Sequence, residues 1–181
     1  MWATLIGVIV GFMLGEGSRL LRDSWRVRQL RQAMRAECQS LIAQIPQLID
    51  LTQKCVASLQ GGNVLPGLHV PAATVVYQSV IAELAPHLTE KERNLLHVCY
   101  ERLRVGDELL TNYATEVVDR LAQRSNLPGF EPFGPYGVML KEQVESYRII
   151  QRLLHSFLDG NPEDVFYVAE PAADRERAQY E

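Results

Sequence analysis

Cysteine is scarce in this chain. Cys38, Cys55 and Cys99 are the only three in 181 residues, and no two form a CxxC pair. A disulfide-stapled fold and a cysteine zinc site are therefore not expected, and the odd count fits a reducing compartment. The four histidines (His69, His87, His97 and His155) make no HxxxH or HExxH spacing, and no glutamate stands three residues before a histidine. That argues against a zinc hydrolase helix and a di-iron bundle. There is no glycine loop ending in Gly-Lys-Ser/Thr and no Gly-x-Ser-x-Gly elbow, so nucleotide-binding and hydrolase readings lose their usual anchors. No strand-period alternation and no internal repeat stand out. No catalytic residue, cofactor or metal is expected.

The most telling absence is charge. Residues 1–15 carry no ionisable side chain. Arg19, Arg22, Arg26, Arg28, Arg31 and Arg35 then follow against one acid, Asp23, and from residue 36 onward 20 acidic and 12 basic residues leave a charge of -8. An apolar start, a basic collar and an acidic body predict a membrane anchor over 1–21, with a helical domain over 22–160 behind it. The span is short. Fifteen helical residues measure about 22 Å, and extension to Leu21 reaches about 31 Å, against a hydrocarbon core of about 30 Å. Glu16 and Arg19 fall inside the longer count, which makes insertion marginal unless both reach the headgroups.

A cleaved signal peptide would begin with basic residues and end at a small-x-small site; no Lys or Arg precedes the apolar run, and 15–25 lacks an alanine-type cleavage site. A surface-lying helix would need a polar face that residues 2–14 lack. The remaining competitor is a buried core helix. Because the arginines follow the apolar run, the reading is an uncleaved single-pass signal anchor in the cell (inner) membrane, with its C-terminal domain in the cytoplasm.

Within the anchor, Ala3, Gly7, Gly11 and Gly15 recur every four residues. That spacing makes a groove along one face of a helix, where a second helix packs closely. Self-association as a homo-oligomer, or pairing with another membrane or cytoplasmic protein, is the expectation. The arginines at 19, 22, 26, 28 and 31 are expected to contact lipid headgroups. They do not share one face: Arg19, Arg22 and Arg26 point one way, and Arg28, Arg31 and Arg35 nearly opposite. A helix that reads nucleic acid would gather its charge on one side, so no nucleic-acid partner is expected. Trp25 fits an interface or a core edge.

An apolar stripe then runs from Val27 through Leu30, Met34, Cys38, Leu41, Ile45, Leu48, Thr52 and Val56 to Leu59, with helical spacing. Anchor and stripe read as one long helix, bent at Pro46 and ended by Gly61-Gly62-Asn63. A short helix is predicted over about 72–85. Thr89 to Glu92 then form a capping box before a long helix reaching about Arg124, in which Leu96, Cys99, Leu103, Gly106, Leu110, Tyr113 and Val117 alternate steps of three and four. Gly106 on that seam marks a close helix approach. A Pro/Gly/aromatic connector over 125–137 leads to a last helix at about 138–158, stopped at Gly160. An acidic tail, 161–181, reads as disordered. The fold class is all-α: a transmembrane helix continuing into a stalk, packed with further helices as an antiparallel coiled-coil-like bundle.

Glu90/Glu92, Asp107/Glu108 and Glu142/Glu145 read as solvated surface. His87, Tyr100, Tyr113 and Tyr147 are the polar side chains best placed for a cleft. An N-terminal helix with spaced glycines, the Arg-rich run into MRAECQSL (34–41) and the later RNLLHVCYERL (93–103) carry a resemblance. The chain resembles a loose group of small bacterial single-pass membrane proteins of unknown function. That resemblance implies the topology and transfers no catalytic residue or cofactor. The functional expectation is a non-enzymatic, membrane-anchored interaction or scaffold module. The alternative is a membrane-perturbing effector or small channel component of stress or phage-defence type.

Overall fold

A computed structural model of the chain describes residues 2–61, 65, 72, 74–123 and 134–165, and the side chains of 22–61, 65, 72, 74–117 and 135–165. Among the described residues every regular element is helical. The elements are α1 (Trp2–Gln60), α2 (Val75–Leu84), a 3₁₀ turn (Ala85–His87), α3 (Glu90–Gln123) and α4 (Gly134–Leu158). The all-α bundle expected from the periodicity is present. Among the described residues no helix is long and apolar enough to cross a membrane; the side chains of 1–21 lie outside them.

α1 is one continuous helix of 59 residues with Pro46 inside it. The ring removes the hydrogen bond to the Ile42 carbonyl, but Pro46 is exposed, so water can take that carbonyl at little cost. Contacts along the helices give the topology. α3 runs parallel to α1, since Arg31 meets Glu92 and Glu37 meets Tyr100. α4 returns antiparallel to α3, with Arg102 near Ser146 and Tyr113 edge-on to Tyr136. α2 lies antiparallel along the first half of the described stalk, from Glu37 back to Arg26.

Helix ends follow local chemistry. At α3, the Thr89 hydroxyl accepts from the Glu92 amide at 3.2 Å, and Glu92 accepts from the Thr89 amide at 2.7 Å, which is the predicted capping box. Arg93 donates to the carbonyls of Ala85 and Leu88, both at 3.0 Å, the first of which also accepts from the Leu88 amide. At α4, the Gly160 amide donates to Phe157 and the Asn161 amide to Ser156, with Gly160 at φ 74°. This left-handed residue closes a Schellman motif.

Three boundaries differ from expectation. α2 starts at Val75, not near residue 72. α4 starts at Gly134, inside the predicted connector; Pro135 is tolerated there because the first helical turn has no partner for its missing N–H. The expected tail begins too early at 161. Val165 is buried in the core, and Glu163 and Asp164 pair with Arg152 and Lys91.

The core has two parts. The larger gathers Met34 to Leu48 of α1 with Leu95 to Leu103 of α3 and Tyr147 to Phe157 of α4. The smaller joins Cys55 and Val56 to Leu110, Tyr113, Val117 and Leu140. Between them each long helix contributes a small or polar residue. Thr52 turns its hydroxyl back to the Leu48 carbonyl at 2.8 Å. Gly106 faces Gln143, whose side chain is only 6% exposed. A Cβ at position 106 would lie 2.2 Å from the Gln143 amide nitrogen, so any other residue there would force the buried end of the Gln143 side chain aside; the close approach is the one the seam position foretold.

Gly106→Ala should therefore destabilise the otherwise native chain. In a Gln143→Ala background the same change should gain about 1 kcal/mol, the helix preference of alanine over glycine. Denaturant unfolding of the four variants measures the difference, and additive effects would contradict the contact.

Candidate functional site

The N-terminus of α2 lacks a cap of its own. Thr74 precedes the helix without making a side-chain cap hydrogen bond. Its place is taken by a residue from another helix. The Glu37 carboxylate of α1 accepts from the amides of Val76 at 2.6 Å and Tyr77 at 3.0 Å. These are the second and third amides of α2, the ones an N-cap side chain ordinarily takes. The positive end of the helix dipole favours the same carboxylate.

Glu37 also accepts from the Tyr100 hydroxyl of α3 at 2.6 Å. It is 8% exposed, on the apolar face between Met34 and Leu41. Tyr100 in turn stacks on Tyr77, with ring centroids 3.8 Å apart and planes 7° from parallel. One carboxylate thus ties α1, α2 and α3 together. A second does similar work one turn of chain earlier: Asp107 of α3 accepts from the Ala72 amide at 3.3 Å.

The tyrosine pair forms a wall of a cleft of about 360 Å³ between α2 and α3. Thr74 and Gln78 line its α2 side; Glu101, Arg104, Asp107 and Glu108 line its α3 side. Arg104 holds two carboxylates at once, Glu101 at 2.8 Å and Glu108 at 2.5 Å. Its hydrogen bond keeps the Glu101 carboxyl below the usual carboxylate range. Burial, then the nearby charge of Glu101, pushes the Tyr77 phenol up.

Of the side chains expected at a cleft, only Tyr100 lines this one. Tyr113 and Tyr147 are buried in the two cores. His87 is exposed, and its backbone carbonyl accepts from Arg31 at 3.3 Å. Glu37 was missed. Its signal was a carboxylate inside an apolar stripe, which demands a buried partner.

The collar arginines separate by partner. Arg26 pairs with Glu83 of α2 at 2.5 Å, and Arg31 with Glu92 of α3 at 3.2 Å. Arg35 donates to the Leu158 carbonyl, complementing the C-terminal end of α4. Arg22 and Arg28 are exposed. Ala3, Gly7, Gly11, Gly15 and Arg19 lie on α1, and their side chains are outside the described residues.

Chemically the interior is quiet. All three cysteines are buried free thiols. Burial pushes the Cys38 thiol up to about 12, against a smaller opposing effect of the Tyr100 hydroxyl, and it raises Cys99 and Cys55 as well. A protonated thiol is a poor nucleophile. Among the described residues no three His, Cys, Asp or Glu side chains gather to hold a metal ion. Comparison with protein families, with curated proteins and with solved structures returns no match to this chain.

Two outcomes test the site. Glu37→Gln should cost about 2–3 kcal/mol, because a charged acceptor facing three donors is lost; Tyr100→Phe should cost less, about 1 kcal/mol. Denaturant unfolding gives both values, and faster amide exchange at Val76 and Tyr77 should accompany the first variant only. Alkali is the second probe. Cys38, Tyr113 and Tyr147 keep their protons to about pH 12 when folded, whereas the unfolded chain releases them from model values of 9.0 and 10.0. Stability from these groups is therefore complete below about pH 9 and is lost as pH rises toward 12. Unfolding midpoints that stay constant from about pH 8 to pH 11 would contradict it.

Proposed function

We propose that the chain is a membrane-tethered helical interaction module, without chemistry of its own, that self-associates or docks a protein partner at the cytoplasmic face of the cell membrane. The observation that carries this reading is the continuity of α1. The same helix holds the uncharged residues 2–15 and the core residues Met34 to Leu48, with no loop between them. A tether joined to its domain by a loop holds that domain nearby; a tether joined by helix also fixes its orientation.

Other features support the reading. The basic collar favours cytoplasmic placement of the bundle. The Ala3-Gly7-Gly11-Gly15 ridge suits close helix pairing in lipid. The resemblance to small bacterial single-pass proteins agrees with that topology. The buried, protonated thiols and the structural engagement of Glu37 leave the interior poorly equipped for catalysis.

Expression with a C-terminal reporter and ultracentrifugation tests the tether. The full chain should pellet with membranes and resist alkaline carbonate extraction; recovery in the supernatant without detergent would overturn the proposal. Replacing Gly7 and Gly11 with leucine should lower self-association in a membrane crosslinking assay by about tenfold, the weight of roughly 1.4 kcal/mol of helix packing.

A further inference from the structure

The arginine collar resolves into two functions. At 3.6 residues per turn, the α1 residues packed against the bundle (Val27, Leu30, Met34 and Leu41) lie about 140–200° around the helix from Trp25. Arg26 and Arg31 border that packed face, about 100–120° from Trp25 on either side. Both are held there by acids of the chain itself, Glu83 and Glu92. Trp25 points away from the bundle and is 62% exposed. Arg22 and Arg28 flank it at about 60° on each side. Both are exposed, and neither makes an ion pair or hydrogen bond among the described residues.

We propose that Arg22, Trp25 and Arg28 form a docking face for anionic lipid headgroups, and that Arg26 and Arg31 are clamps for α2 and α3 with no part in lipid contact. The inference rests on the membrane reading above and narrows it to particular residues and a lipid class. Two lines support that occupant. The face is purely cationic beside a body of opposite charge, so its complement is an anionic surface. It also begins next to the end of the expected anchor, 1–21, in the same helix, where an indole prefers the boundary between apolar and aqueous layers. An arginine near an anionic bilayer surface gives about a fivefold preference. Arg26 and Arg31 cannot turn to headgroups without releasing Glu83 and Glu92 into the same negative surface.

The test uses the full chain with Trp2→Phe, so that Trp25 is the sole indole, in vesicles doped with phosphatidylglycerol or phosphatidylcholine brominated near the headgroup. At equal mole fraction the anionic lipid should quench Trp25 several-fold more strongly. Arg22→Gln with Arg28→Gln should abolish that preference, and Arg26→Gln should leave it intact; the Arg26 pair is exposed, so the fold tolerates its loss. Equal quenching by the two lipids, as expected if an acidic protein covers this face, would overturn the inference and leave the membrane reading standing. So would a loss on Arg26→Gln as large as in the double variant. A chain that does not enter either vesicle overturns both.

Discussion

Burying a carboxylate is costly unless every lone pair that faces the interior finds a donor. Glu37 meets that demand with two amides of α2 and the hydroxyl of Tyr100. Much of the arrangement follows. The start of α2 must lie against residue 37 of α1, and Tyr100 must reach the same point from α3. The ring stack on Tyr77 and the cleft beside it are consequences of that meeting. The apolar face of this short helix, Leu84 buried with Tyr77, Val80 and Ile81 partly so, is non-directional and holds the helix without setting its register, which the carboxylate fixes. Arg26 secures the far end through Glu83.

The long helices are held differently. Their apolar faces supply the main stabilisation, at about 1.5–3 kcal/mol for each large side chain withdrawn from water. That seam is interrupted once. Thr52, Gly106 and Gln143 place a thin, partly polar layer between the two cores. The Gln143 amide nitrogen and the Tyr147 hydroxyl are buried there beside one another, with no other side-chain or backbone partner among the described residues. Burial, only partly offset by the Gln143 amide, raises the Tyr147 phenol to about 12. The layer weakens the core locally, but it also fixes how the helices slide: a one-turn shift would press a larger side chain into the space that only Gly106 leaves open.

What could be read from the sequence was whatever rests on neighbours a few residues apart. The Thr89–Glu92 box, the stop at Gly160, the length of the first helix and the close approach at Gly106 all belong to that class. Glu37 did not, because its partners are 39 to 63 residues away and nothing in the local spacing names them. The arginines were visible as a charge run, yet the split between Arg26 and Arg31 on one side and Arg22 and Arg28 on the other depends on where Glu83 and Glu92 arrive. The early start of α4 was hidden by Gly134-Pro135-Tyr136-Gly137, which reads as a turn until Tyr136 packs on Tyr113. Val165 was concealed by the acidic residues that precede it.

One further property follows from α1 having no break at Pro46. The helix continues through the proline, so no loop separates the collar from the end of the bundle. A twist or a piston stroke applied at the amino-terminal end would pass along continuous helix to Glu37 and then to the layer around Thr52. Any partner that rotates the first turns of α1 would strain the seat of α2 before it disturbed the rest of the molecule.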